Sequence, residues 1–333
     1  MTYRAAIAGC GLIGSEFSDT MTLPGVWSHA DAYTRCTETE LVAVCDHDAE
    51  KAARCAKRWN VAAQHTDFAA MLDDARPEIV SICTPDHAHY QQIKTALAHP
   101  AVHVVLAEKP LALDIGQAEE LVELAKNRNV VLAVNYSRRY AAGFATLAQQ
   151  LQSGEFGTIQ SISGYYTKGT LHNGGHWFDL AEFLIGPVQG VRAYNRLHEA
   201  GNDPTLDVAL DFTNGVNGYL HGLDARAFAL FEMDVVCSEG RVRIVDSGFS
   251  MEIYRLEASP FGAGYRRLAL TETRESGLPE AMLNAVQDSA NCLTRGTPPA
   301  CTGVHALQAL KIGHAALKSA QSGVSLSIDN SIS

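Results

Sequence analysis

The first part of the chain carries short apolar runs at residues 4–8, 41–45, 79–83, 103–106 and 130–134. None alternates apolar with polar residues, as a strand with one wet face would. Between them, residues 49–59, 87–98 and 116–127 show the apolar spacing of helices. This order predicts βαβ units and a parallel sheet covered on both faces. The crossover after the first run is long and contains Pro24-Gly25, which predicts a short helix, a loop and a second helix.

The pattern changes after residue 158. Strand-like runs follow at 159–166, 188–197, 206–212, 218–223, 231–236 and 241–245, and strand character continues to about residue 254. Turn residues separate them, and Asn214-Gly215 marks a hairpin. Consecutive strands predict an antiparallel sheet in a separate layer. Helices are expected at 176–184, 279–294 and 304–322. Residues 258–264, with Pro260, Gly262 and Gly264, read as an exposed loop.

Composition narrows the class. The chain has 333 residues, 47% apolar and 19% charged, which suits two globular domains. Its net charge is −11 and no basic stripe is present, so nucleic acid is not an expected partner. The eight cysteines form no C-x-x-C pair, and Cys10, Cys45 and Cys83 lie at or near the ends of apolar runs, as small buried residues do. No apolar run approaches the ~20 residues of a membrane span. The N-terminus lacks the regions of a signal peptide. A cytoplasmic protein is expected.

The segment Gly9-Cys10-Gly11-Leu12-Ile13-Gly14 follows a buried-strand pattern and opens a helix, the context a dinucleotide loop requires. Gly9 permits the tight turn, Gly11 admits a pyrophosphate and Gly14 lets helix and strand pack closely. Asp46 ends the second strand. A carboxylate there accepts ribose hydroxyls and repels a 2′-phosphate, which favours NAD over NADP. It lies 32 residues beyond Gly14 rather than the usual ~20, and a helix cap is its alternative reading. The third strand ends in Thr84-Pro85-Asp86-His87. Thr84, Pro85 and His87 are candidates for lining the dinucleotide cleft, and Asp86 for capping the next helix. The fold class expected is α/β: a Rossmann domain over residues 1–122, then an α/β domain over 123–333 with a large, mostly antiparallel open sheet.

Glu108-Lys109-Pro110 follows the fourth strand. Hydride loss from a carbinol needs a base for the hydroxyl proton, and a lysine with a lowered pKa supplies one. From spacing alone, a solvated lysine is the commoner reading. Pro110 is a candidate cis residue.

These pieces resemble the Gfo/Idh/MocA oxidoreductase family. The resemblance rests on Gly9–Gly14, Asp46, Thr84-Pro85, Ala107-Glu108-Lys109-Pro110-Leu111, Gly175-His176-Trp177-Phe178-Asp179-Leu180 and the C-terminal helices. It covers nearly the whole chain. It implies an NAD-dependent enzyme acting on a sugar, sugar nucleotide or cyclitol. It implies Lys109 as the catalytic lysine, His176 as its acid/base partner, and a homodimer or homotetramer. Glu108 and Lys109 are also expected near the cofactor. Many members carry an aspartate four residues before that histidine; this chain has His172 there, then Asn173. His172 is therefore a third candidate for proton transfer. Asp179 either orients His176 or is structural. Lys168, in a run resembling members linked to bacterial surface-sugar pathways, is a candidate substrate contact. Asn173 and Arg139 are others, with surface arginine and lysine as the plain alternatives. His172 and His176 lack a third ligand and an assured continuous helix, so no metal is expected. Two other readings stay open: a dinucleotide-binding regulatory protein without turnover, and a reductase of a non-sugar substrate.

Overall fold

The computed structural model describes residues 2–330. The chain divides into two compact units, Met1–Ala141 with Pro279–Leu307, and Ala142–Leu278 with Gln308–Ser333.

The first unit is built on β1 (Tyr3–Ala8), β2 (Thr39–Cys45), β3 (Ala63–His65), β4 (Ile79–Ile82), β5 (Val104–Ala107) and β6 (Val131–Val134). Their order is β3-β2-β1-β4-β5-β6, and all neighbours run parallel. This is the Rossmann order, with its switch point between β1 and β4. β4 and β5 are buried throughout, which is why their sequences are apolar without alternation. The helices are capped by their own sequences. Asp48, Asp67 and Asp114 accept backbone N–H groups at three N-termini, and Asn60, Arg76 and Asn129 close the same helices in the left-handed region. The long crossover is split as its Pro-Gly pair predicts. A wide helical turn Leu12–Glu16 leads into Phe17–Thr20, a loop, and the helix His29–Arg35.

Two features lie outside the sequence expectation. β3 is a three-residue edge strand, too short and polar to read alone, formed by pairing with residues 43–45 of β2. The residue 122/123 boundary falls inside the helix Ile115–Arg128, and β6 pairs with β5 beyond it. The first unit also recruits the helix Ala281–Arg295.

The second unit holds β7 (Ile159–Tyr166), β8 (Val188–Tyr194), β9 (Asp207–Phe212), β10 (Asn217–Gly222), β11 (Phe231–Cys237), β12 (Gly240–Val245), β13 (Ser250–Ala258), β14 (Arg266–Glu275) and β15 (Leu326–Ser327). The order is β14-β13-β12-β11-β7-β10-β9-β8-β15. Only β7 and β10 pair in parallel. The β9–β10 hairpin turns at Asn214-Gly215, where Gly215 has φ +85°. The expected loop at 258–264 is the tip of a β13–β14 hairpin whose second strand is mostly exposed and charged, which hid it from an apolar count. Burial alternates strictly along β10 and β11. One sheet face is therefore packed, in part beneath the helix Gly174–Ile185. The other carries Tyr165, Tyr194, Tyr219 and cross-strand ion pairs such as Arg241–Asp234. Among the described residues, no helix is long and apolar enough to cross a membrane.

Candidate functional site

The glycine loop leaves β1 at the switch point. Gly9 has φ +95°, and a Cβ there would stand 2.5 Å from the backbone carbonyl of Cys83, so the loop lies directly against the end of β4. A Cβ on Gly14 would collide with the carbonyl oxygen of Gly9, the close helix–strand approach the motif demands. A Cβ on Gly11 would meet nothing within 4 Å. The middle glycine thus faces open space, as a pyrophosphate cradle requires. The turn then begins with N–H bonds from Ser15 and Glu16 to the Gly11 carbonyl. Leu12, beside them, is exposed.

Asp46 is not the helix cap; Asp48 performs that task. The Asp46 Oδ2 accepts the Cys10 N–H at 2.9 Å and its Oδ1 accepts the Asp48 N–H at 3.0 Å. The carboxylate is therefore fixed at the end of β2, beside the loop. Each oxygen keeps further acceptor capacity for a ribose hydroxyl. The residues present fit NAD on these grounds. All eight cysteines are free and buried. Burial pushes the Cys83 thiol well up, so it remains a packing group beneath the loop.

At the end of β4, the Thr84 hydroxyl donates to Gln92 Oε1 at 2.7 Å. Pro85 and His87 are exposed. The buried histidine is His89, which sequence reasoning missed. Its Nε2 lies 2.7 Å from the Thr84 carbonyl and its Nδ1 2.7 Å from the Pro110 carbonyl. His89 shares the buried helix face with Ile93, Ala96 and Leu97, a spacing that was available as a signal.

The Lys109 turn follows β5, and the Lys109–Pro110 peptide is cis. Glu108 points inward. Its Oε1 accepts from His29 Nε2 at 2.9 Å and from Asn135 Nδ2 at 2.6 Å. His29 Nδ1 lies 2.9 Å from Ser81 Oγ, which lies 2.7 Å from the Tyr33 hydroxyl. Burial alone would raise the Glu108 carboxyl. The His29 hydrogen bond and charge, the Asn135 amide and the Lys109 charge outweigh it and hold the group below the ordinary carboxylate range. Asn135 Oδ1 is buried with no hydrogen-bond partner among the described residues. Nothing in the local sequence announces His29, Ser81 or Asn135, because three separate strand and helix ends deliver them. Arg139, a candidate substrate contact with a surface arginine as its plain alternative, is buried in the turn Ser137–Tyr140.

In the second unit, Lys168 is exposed in the left-handed region and precedes a wide turn Gly169–Asn173. Asp203 holds that turn, accepting the N–H of Leu171 at 2.6 Å and of His172 at 3.0 Å. Asn173 donates to the Thr167 carbonyl at 2.9 Å. The helix Gly174–Ile185 follows without a break, so the glycine pair begins the helix instead of interrupting it. His172 is exposed, His176 half-buried and Asp179 buried. Among the described residues no group of three or more His, Cys, Asp or Glu is arranged to hold a metal.

Comparison with known proteins gives the family. Residues 3–136 match the model described as an oxidoreductase family with an NAD-binding Rossmann fold, and residues 144–243 match the GFO/IDH/MocA C-terminal domain. The chain belongs to the Gfo/Idh/MocA family. It is an NAD-dependent oxidoreductase. D-glucoside 3-dehydrogenase of Escherichia coli is 30% identical over 58% of this chain and 57% of its own length. Myo-inositol 2-dehydrogenase of Thermotoga maritima is 23% identical over 99% of both chains. Levoglucosan dehydrogenase, solved with NADH and levoglucosan, superposes with a TM-score of 0.82 at 17% identity, covering 98% of this chain and 100% of its own. That last likeness is one of fold.

Proposed function

We propose that this family member is a dehydrogenase of a CH–OH carbon in a sugar, sugar nucleotide or cyclitol, with Lys109 and His176 as its proton-transfer groups. The observation that carries the reading is the position of Lys109. It stands at the C-terminal end of β5, in the unit that carries the glycine loop, on a turn fixed by buried side chains. Ligands of open α/β sheets bind at these strand ends. The named relatives act, by their names, on a glucoside and on myo-inositol, which supports a polyhydroxyl substrate.

Bound NAD supplies hydride exchange at the nicotinamide. Gly9, Gly11, Leu12, Ile13 and Gly14 would hold its pyrophosphate end, and Asp46 would accept the adenosine ribose hydroxyls. Thr84, Pro85, His87 and Glu108 border it. Lys109 would take the hydroxyl proton of the carbinol when it is oxidised, and return it to the carbonyl oxygen in the reverse direction. His176 is the second proton-transfer group, with His172 in the place of the family's usual aspartate. Lys168, Asn173 and Arg139 are substrate contacts in this reading, Arg139 the least accessible. The open, tyrosine-bearing sheet face is the surface proposed for a homodimer or homotetramer, which light scattering checks.

The deciding experiment is a panel of sugars, sugar nucleotides and cyclitols, with NAD and NADP, followed by reduced-cofactor absorbance. Turnover of a polyol with NAD is expected. Turnover confined to non-sugar substrates overturns the substrate class, and preference for NADP overturns the role of Asp46.

A further inference from the structure

His89 stands between two turns of the first unit and touches the backbone of both. It lies on the buried face of the helix Asp86–Ala98 and is 1% exposed. Its Nε2 is 2.7 Å from the Thr84 carbonyl oxygen, at the end of β4, and its Nδ1 is 2.7 Å from the Pro110 carbonyl oxygen, beyond β5. The Thr84 turn abuts the glycine loop, since a Cβ on Gly9 would stand 2.7 Å from the Thr84 nitrogen. The Pro110 turn carries Lys109. One imidazole thus joins the backbone beside the glycine loop to the backbone that bears the lysine.

Both partners of the ring are carbonyl oxygens, which only accept. A neutral imidazole has one N–H and one bare nitrogen. In that form one of the two contacts would set a nitrogen lone pair against an oxygen lone pair at 2.7 Å. A ring with a proton on each nitrogen donates to both. The two distances lie at the short end for N–H···O bonds, where charged donors are found. A buried ion needs compensation, and the two carbonyl dipoles supply it.

We propose that His89 is a positioning residue: as an imidazolium it clasps the Thr84 turn to the Lys109–Pro110 turn and holds the dinucleotide cleft in its binding form. Loss of one ring proton frees one turn, and NADH binds the freed form less tightly. This rests on the reading that both turns border the cofactor. Among the described residues no carboxylate bonds the ring. On its own helix Asp86 and His87 are exposed, while Tyr90 and Lys94 meet Glu120 of the helix Ile115–Arg128. Beyond β5, Glu108 accepts from His29 and Asn135, and Lys109 directly precedes Pro110. Asp73, on the helix Phe68–Ala75, meets His99. Cys83, beside Thr84, stays a thiol.

Nitrogen-15 NMR of ring-labelled histidine reads the protons on both His89 nitrogens, on the full cofactor-free chain from about pH 5 to about pH 8. NADH affinity is measured by fluorescence titration across the same range, in parallel with His89→Gln, whose amide N–H reaches one turn at most. Wherever the ring carries two protons, the natural chain should bind NADH about fivefold more tightly than the variant. Where one proton has left, that gap should close. A ring held in one neutral tautomer at every pH overturns the proposal. So does a gap that is absent, or one that persists after the proton has left. Should His89→Gln not fold, the natural chain decides alone, with the pH raised until the ring loses its proton: NADH affinity should fall with that step, and no fall overturns the proposal. The placement of the turns is tested separately by adding NADH and following the backbone amide signals of Thr84 and Lys109. Unmoved signals sink that placement whatever the state of the ring, so the two failures are distinguishable.

Discussion

The backbone N–H of Cys10 donates to Oδ2 of Asp46 across 2.9 Å, tying the middle of the glycine loop to the end of the second strand. The two parts of the dinucleotide signature are thus one physical unit. The extra residues of the long crossover leave this contact intact, because they are taken up between Thr20 and His29 while β1 and β2 stay paired up to Ala8 and Cys45.

Asp46→Ala removes a loop anchor and a ribose acceptor together. NAD affinity should fall on the order of tenfold or more, while the ratio of NADP to NAD affinity rises. Fluorescence titrations with both cofactors check this; an unchanged ratio would show that Asp46 does not select.

The first two glycines of the motif should separate by variant. Gly9→Ala forces a side chain onto the Cys83 carbonyl at φ +95°, and should cost about 2 kcal/mol or more of stability. Gly11→Ala meets no neighbour, so Tm should hold while NAD affinity drops. Thermal melts and cofactor titrations on both variants distinguish a packing glycine from a cradle glycine.

Lys109→Ala should lower kcat by about 10²–10⁴-fold with little change in NADH binding. Steady-state kinetics on the best substrate of the panel, with a parallel binding titration, measures both. Retained turnover contradicts the proton-transfer role.

His305 links stability to pH. Burial first, and the Arg139 charge second, push it down to about 4. The folded chain therefore binds this proton less readily than the unfolded chain, whose histidine titrates near about 6.5. The contribution is complete above about pH 6.5 and is lost as pH falls toward about 4, reaching about 2–3 kcal/mol. Melts at pH 7 and pH 5 should differ more in the natural chain than in His305→Asn.

Local sequence determined much of this protein. The unbroken apolar runs specified buried parallel strands, since only a strand covered on both faces needs no polar alternation. Gly9, Gly11 and Gly14 specified the loop because backbone freedom and missing Cβ atoms are local properties. Glu108-Lys109-Pro110 and the His176 helix were legible as motifs. Tertiary structure decided the rest. β3 and β15 exist only through their partners, and β14 is too exposed for an apolar pattern to reveal. His89, two positions past the exposed His87, is buried because its helix face turns inward. The surroundings of Glu108 come from His29, Ser81 and Asn135, which are remote along the chain. Hydrogen bonds between such residues leave no periodic trace in sequence, since they depend on which strand ends the fold brings side by side.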